Sequence, residues 1–304
     1  MNGSFSKGYN SSFIALIPKV IDVEFVNDYR PISLIGSVYK FVTKIMANRL
    51  AFVIEDIVSD TQSAFVAERP ILDGPFILNE EFLIDVLEAF GFGPTWCNWI
   101  RGTFCFVKAS ILVNGSPSNE FQFHRGLKQG DPLSPCLFIL IMESLHLSVS
   151  KAANDGLFKG IRLHSTLSLS HLFYADDTLF IGEWSGVNLR GIIYILKCFY
   201  LASGLQINIS KSQVMGVGVS RSSVEDMAAS IGCSIMETKF RYLGVMIGEC
   251  MSRHKAWDDV VVKLRQRLSK WKAKTLSIGG RLTLLKSVLG ASPLYSMSIF
   301  KVPK

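Results

Sequence analysis

The chain has 304 residues, is 49% hydrophobic and carries a formal net charge of +7, which is ample for a buried core and argues against low-complexity, collagen-like and disordered classes. Six cysteines, at 97, 105, 136, 198, 233 and 250, form no CxxC pair, which argues against a zinc site or disulfide framework and predicts reduced, mostly buried thiols in an intracellular protein. The N-terminus is polar, with no secretory pattern, and the longest apolar run, Cys136 to Met142, is far short of the roughly 20 residues of a membrane span. The hydropathy is therefore assigned to core, with no membrane contact expected.

Taken along the chain, Phe13 to Ile17 reads as a short strand stopped by Pro18. Tyr39 to Ile57 has apolar residues at helical spacing (Phe41, Ile45, Leu50, Val53, Ile57) with basic residues between them. Phe82 to Phe90 is again helical in period, and Gly91 and Gly93-Pro94 end it. The period then changes: Ile111 to Val113, an Asn114-Gly115 turn and Phe121 to Phe123 predict a β-hairpin with a somewhat long loop. Ser134-Pro135 predicts a helix start, with a side-chain N-cap and proline at the first helical position. The helix that follows should bury Phe138, Ile141, Leu145 and Val149. Leu172 to Ile181 reads as a second hairpin around Ala175-Asp176-Asp177-Thr178. Helices mixed with antiparallel hairpins predict an α+β fold. Between Arg253 and Lys286, ten Lys/Arg face only Asp258 and Asp259; the stretch fits either a polyanion-binding segment or a solvated helix face.

Two adjacent carboxylates at the tip of an apolar hairpin repel one another unless a cation neutralises them, and clustered carboxylates suit Mg²⁺. An ordinary polar turn explains the dipeptide equally well. The surroundings change the balance. Tyr174-Ala175-Asp176-Asp177 between hydrophobic strands resembles the catalytic YxDD box of reverse transcriptases, and Gly126-Leu127-Lys128-Gln129-Gly130-Asp131-Pro132-Leu133-Ser134-Pro135 resembles their glycine-rich loop at the incoming nucleotide. The likeness extends to Phe13–Lys19 and Asp28–Leu34, which look like fingers motifs of non-LTR (LINE-type) elements, and to Gln62–Phe65 with Arg69, Gly204–Asn208 with Lys211, and Tyr242-Leu243-Gly244. The segment from Trp271 to Lys286 resembles the thumb side of plant elements of this type.

The resemblance implies a right-hand polymerase with fingers over 1–80, palm over 81–250 and a basic helical thumb over 251–304. It implies an RNA template, a DNA primer, deoxynucleoside triphosphates, and Mg²⁺ (or Mn²⁺) on Asp176 and Asp177. Lys19 and Arg30 would meet the triphosphate, and Gln129 and Gly130 the nascent base pair. Lys211 would donate a proton to pyrophosphate, although a solvated loop lysine fits as well. Arg69, Tyr242 and Gly244 would touch template and primer. A nuclear or cytoplasmic location follows.

One departure stands out. The family pattern calls for a third aspartate between Arg69 and Gly126, in "apolar-Asp-aromatic-x-x-Ala-Phe-Asp". Asp85 precedes Ala89-Phe90, but the Leu83/Val86/Leu87/Phe90 spacing is helical, and Asp85 lies 41 residues before Gly126, short for the family. The expectation is a deletion near Asn79-Glu80-Glu81, an incomplete palm and weak or absent activity. The alternative function is a catalytically dead nucleic-acid-binding remnant or a pseudogene product. By the same resemblance the ends read as cut, with no endonuclease domain before residue 13 and no metal-binding tail after Lys304.

Overall fold

A computed structural model of the chain describes residues 8–19, 22–59, 62, 78–105, 107–122, 126–164, 168–242 and 245–248, with scattered positions between 257 and 282. The chain forms two compact units, Met1–Ile207 and Asn208–Lys304. The predicted thumb falls almost entirely outside the described residues.

The first unit opens with strand β1 (Ser12–Pro18), which pairs antiparallel with β2 (Tyr29–Ile35) and parallel with β3 (Lys108–Val113). β3 also pairs with β4 (Ser116–Pro117) and β5 (Phe121–Gln122). The predicted hairpin loop is thus not long. Asn114 and Gly115 both have positive φ, 51° and 83°, and close a two-residue turn with Val113 opposite Ser116. Asn-Gly favours that left-handed pair, which matches the twist of the strands.

Five helices build the core: α1 (Ser37–Ile57), α2 (Glu80–Ala89), α3 (Pro94–Phe104), α4 (Ser134–Asn154) and α5 (Gly186–Ser203). α4 is central, with eleven buried residues, the predicted Phe138, Ile141, Leu145 and Val149 among them. Among the described residues it is long and apolar enough to cross a membrane by length and composition; its apolar side chains instead form the middle of the hydrophobic cluster shared by α1, α2, α3 and α5. Its start differs from the expectation. Ser134 and Pro135 are the first helical residues, and no side chain caps Leu133 before them. The backbone just before the helix is held instead by Asp131, whose carboxylate accepts from the buried Leu133 N–H at 3.0 Å.

α1 corrects a second expectation. Its buried residues are Tyr39, Thr43, Met46, Ala47 and Leu50, whereas Phe41, Ile45 and Val53 are exposed. The core-facing stripe mixes Tyr39 and Thr43 with Met46, Ala47 and Leu50 because it meets a polar cluster as well as the apolar core. The thiols also depart from prediction: of the five described, only Cys97 is buried and Cys198 is exposed, all five being free.

After α4, short strands β6 (Ile161–Arg162) and β7 (Ser168–Leu169) pair, followed by the hairpin of β8 (His171–Tyr174) and β9 (Asp177–Phe180). The second unit, by itself, pairs β10 (Gln213–Val214) parallel with β11 (Ser234–Ile235) around α6 (Arg221–Ile231). It then forms the hairpin of β12 (Phe240–Tyr242) and β13 (Val245–Ile247).

Candidate functional site

The β8–β9 hairpin is closed by Ala175 and Asp176, with Tyr174 paired to Asp177. Ala175 has φ +51°, a left-handed conformation that is rare for a residue other than Gly, Asn or Asp and is a form of local strain. Ala175 is 4% exposed, so the turn is tucked in at its first residue, while both aspartates after it are exposed. The result is two carboxylates side by side, one on the turn and one on the first residue of β9. Partial desolvation against the hairpin raises the Asp177 carboxyl above its ordinary value, which an adjacent cation would reverse. Two neighbouring oxygen-rich side chains suit a hard divalent cation. Among the described residues, no group of three or more His, Cys, Asp or Glu side chains is arranged to hold a metal.

The hairpin is held from beneath. Phe173 is fully buried in the hydrophobic cluster, and Gln62 makes an isolated parallel bridge to it. Asp85 is on α2, exposed, between buried Ile84 and Val86. It is therefore a surface helix residue rather than part of a strand.

The glycine-rich loop is packed on β2. The Gln129 carbonyl accepts from the Ser33 N–H at 2.8 Å. Gly130, at φ +101°, lies where a Cβ would come within 3.1 Å of the Ser33 carbonyl oxygen, so close approach and backbone conformation both require glycine. Farther along β2, Arg30 stands opposite Ile17 of β1, and Lys19 continues the ladder by donating its N–H to Asp28 at 2.7 Å. The two predicted triphosphate cations thus stand at the same end of the β1–β2 ladder, Lys19 one residue beyond β1.

Lys211 lies in the second unit, exposed, in a 3₁₀ turn (Ile209–Lys211) whose start is capped by the Asn208 side chain. Tyr242 ends β12 opposite Val245. Arg69 and Gly244 lie outside the described residues.

Three features escaped the sequence reading. Lys128 and Asp131 are buried, at 8% and 6% exposure, although both stand in a predicted ligand loop. His171 Nε2 lies 2.6 Å from His146 Nδ1 at the base of β8. Asn188 on α5 accepts from the Lys159 N–H at 2.6 Å and donates to the Lys159 and Glu183 carbonyls at 2.8 and 3.0 Å. Each depends on a partner distant in sequence: Asn10 for Lys128, His146 for His171 and Lys159 for Asn188.

A family model described as reverse transcriptase (RNA-dependent DNA polymerase) matches residues 76–247, more than half of the chain. The chain is 25% identical to the transposon TX1 uncharacterized 149 kDa protein of Xenopus laevis, over 93% of this chain and 24% of that protein. It is 24% identical to the retrovirus-related Pol polyprotein from type-2 retrotransposable element R2DM of Drosophila melanogaster, over 79% of this chain and 24% of that protein. A retrovirus-related Pol polyprotein from type-1 retrotransposable element R2 of Popillia japonica is 26% identical, over 77% and 37%. The chain thus spans between about a quarter and two-fifths of the length of these relatives.

Proposed function

The chain belongs to the reverse transcriptase (RNA-dependent DNA polymerase) family, and from that premise we propose that it is the polymerase portion of a LINE-type, non-LTR retrotransposon polyprotein, extending a DNA primer on an RNA template. The observation that carries the reading is the β8–β9 turn, where a left-handed Ala175 presents two adjacent exposed carboxylates on a buried base. Asp176 and Asp177 are the residues that would hold Mg²⁺ or Mn²⁺. A bound ion would supply charge neutralisation at the transferring phosphoryl group. Lys19 and Arg30, at one end of the β1–β2 ladder, would bind the triphosphate as fixed cations. Gln129 and Gly130 would seat the nascent base pair, and Lys211 would protonate the departing pyrophosphate. Arg69, Tyr242 and Gly244 would contact template and primer, and the basic stretch from Arg253 to Lys286 would grip duplex backbone, in a manner that weakens with salt.

We also propose that the activity is impaired. Asp85, the nearest candidate for a third carboxylate, is an exposed residue of α2. Removing one member of a cooperative catalytic set can cost nearly as much as removing all of it. This same observation supports the second reading, a nucleic-acid-binding remnant without chemistry.

Primer extension on an RNA template with Mg²⁺, beside an Asp176→Ala/Asp177→Ala control, separates them. Weak extension that disappears in the control supports the polymerase. Salt-sensitive duplex binding without extension supports the remnant. Extension undiminished in the control would overturn the assignment of the two aspartates.

A further inference from the structure

Lys128 and Asp131 bracket the Gln129-Gly130 dipeptide, and both turn inward. A buried charge is costly unless its hydrogen bonds are met, and here they are met mainly by backbone groups from separate parts of the first unit. The Lys128 ammonium donates to the Asn10 carbonyl, just before β1, and sits over the Tyr39 ring, 4.3 Å from its centroid. The Asp131 carboxylate accepts from the Leu133 N–H at 3.0 Å, and the Tyr39 and Thr43 hydroxyls of α1 lie beside it; Thr43 donates to the Lys40 carbonyl at 3.3 Å. Asn10, Tyr39 and Thr43 are each 2% exposed or less. A cavity of about 20 Å³ beside Tyr39, Lys128 and Asp131 has room for about one water among polar groups.

Such a cluster is a poor way to gain stability, because well-packed apolar side chains of the same size commonly do as well or better. What it fixes is geometry. The loop is anchored on each side of two residues whose backbone lies against Ser33 of β2, three positions from Arg30.

We propose that Lys128 and Asp131 are positioning residues for the incoming nucleotide: buried anchors that hold Gln129-Gly130 against β2, so that the loop and the Arg30 strand form one rigid rim. The inference rests on the polymerase reading above.

The test uses the full chain with Lys128→Met, which keeps side-chain length without the ammonium, and Thr43→Val, which removes one hydroxyl at constant shape. Urea unfolding selects variants that remain folded. Hydrogen exchange is followed at the Ser33 and Leu133 amides, and dTTP binding is titrated on an RNA–DNA primer–template whose primer lacks a 3′-hydroxyl. Lys128→Met should speed exchange at both amides and weaken dTTP binding about tenfold, the loss of roughly one hydrogen bond, with duplex affinity unchanged. Thr43→Val should move both in the same direction by less, and carries the test if Lys128→Met does not fold. Unchanged exchange, or unchanged dTTP affinity in a folded variant of a chain that binds dTTP, overturns the proposal. A wild-type chain that binds no dTTP overturns the polymerase reading instead.

Discussion

Acidification probes the base of the catalytic hairpin through a group that should titrate only at a cost to the fold. His171 opens β8 and is 2% exposed. Its Nε2 lies 2.6 Å from His146 Nδ1, and its Nδ1 lies 2.8 Å from Ser170 Oγ. One proton can sit between the two rings; a second would set two N–H groups against each other. Burial, and then the neighbouring His146, hold the His171 ring down to about 4 from the usual 6.5. Unfolded His171 therefore binds a proton between those values while the native residue does not, so stability is complete above about pH 6.5 and falls as pH drops towards 4. The full window is worth at most about 3 kcal/mol, and about 2 once screening is allowed for. Asp131 and Asp177, raised by burial, contribute with the opposite sign. Glu143, 4.0 Å from His146 Nε2, is the charge facing the pair from α4. The assay is therefore a difference: urea unfolding of wild type and His171→Gln at pH 7, 6, 5 and 4.5. The wild type should lose stability relative to the variant by roughly 1–2 kcal/mol between pH 7 and 4.5. Parallel profiles would refute the reasoning.

Asn188→Ala should cost about 2 kcal/mol in urea unfolding, because three hydrogen bonds to Lys159 and Glu183 disappear together. Leu50→Ala, at a fully buried position, should cost about 2–5 kcal/mol, whereas Phe41→Ala, 69% exposed, should stay within about 0.5 kcal/mol; equal costs would mean that the face of α1 is wrongly assigned. Asp85→Asn should leave any measurable primer extension unchanged, and a loss comparable to that of Asp176→Ala would make it a metal ligand.

Periodicity and local breakers carried much of the fold. The Ser-Pro start and the Phe138/Ile141/Leu145/Val149 stripe located α4, and Asn114-Gly115 located a turn. The errors share a cause. On α1, Phe41, Ile45 and Val53 are at helical spacing and more hydrophobic than Tyr39, Thr43 and Ala47, yet the latter face inward, because Tyr39 and Thr43 meet an Asp131 that is far along the chain. Sequence patterning registers how apolar a face is, not whether a distant carboxylate will satisfy it. The same limit hid Lys128 and Asp131, which look like exposed ligand residues beside Gln129. At the hairpin the order of residues was readable, but the left-handed Ala175 that directs the two aspartates was not, since alanine carries no preference for positive φ.

The support of that hairpin bears on how its chemistry can be tested. β8 and β9 make a two-stranded sheet of four residues each, and an isolated hairpin of that size is marginal in water. Its order must come from its ends: Phe173 buried in the core, His171 on His146, and the segment after β9 tied to Lys159 by Asn188 and by the Gly160–Gly182 bridge. A Cβ on Gly182 would lie 2.7 Å from the Lys159 carbonyl oxygen and 2.8 Å from Phe158, so this end closes only around glycine. Anchors at the base and carboxylates at the tip are therefore separable. Substitutions at His171, Gly182 or Asn188 act on the order of the hairpin, while those at Asp176 and Asp177, both exposed, act on charge with little cost in packing. Inactivity produced at the tip alone reports on chemistry; inactivity produced at the base does not.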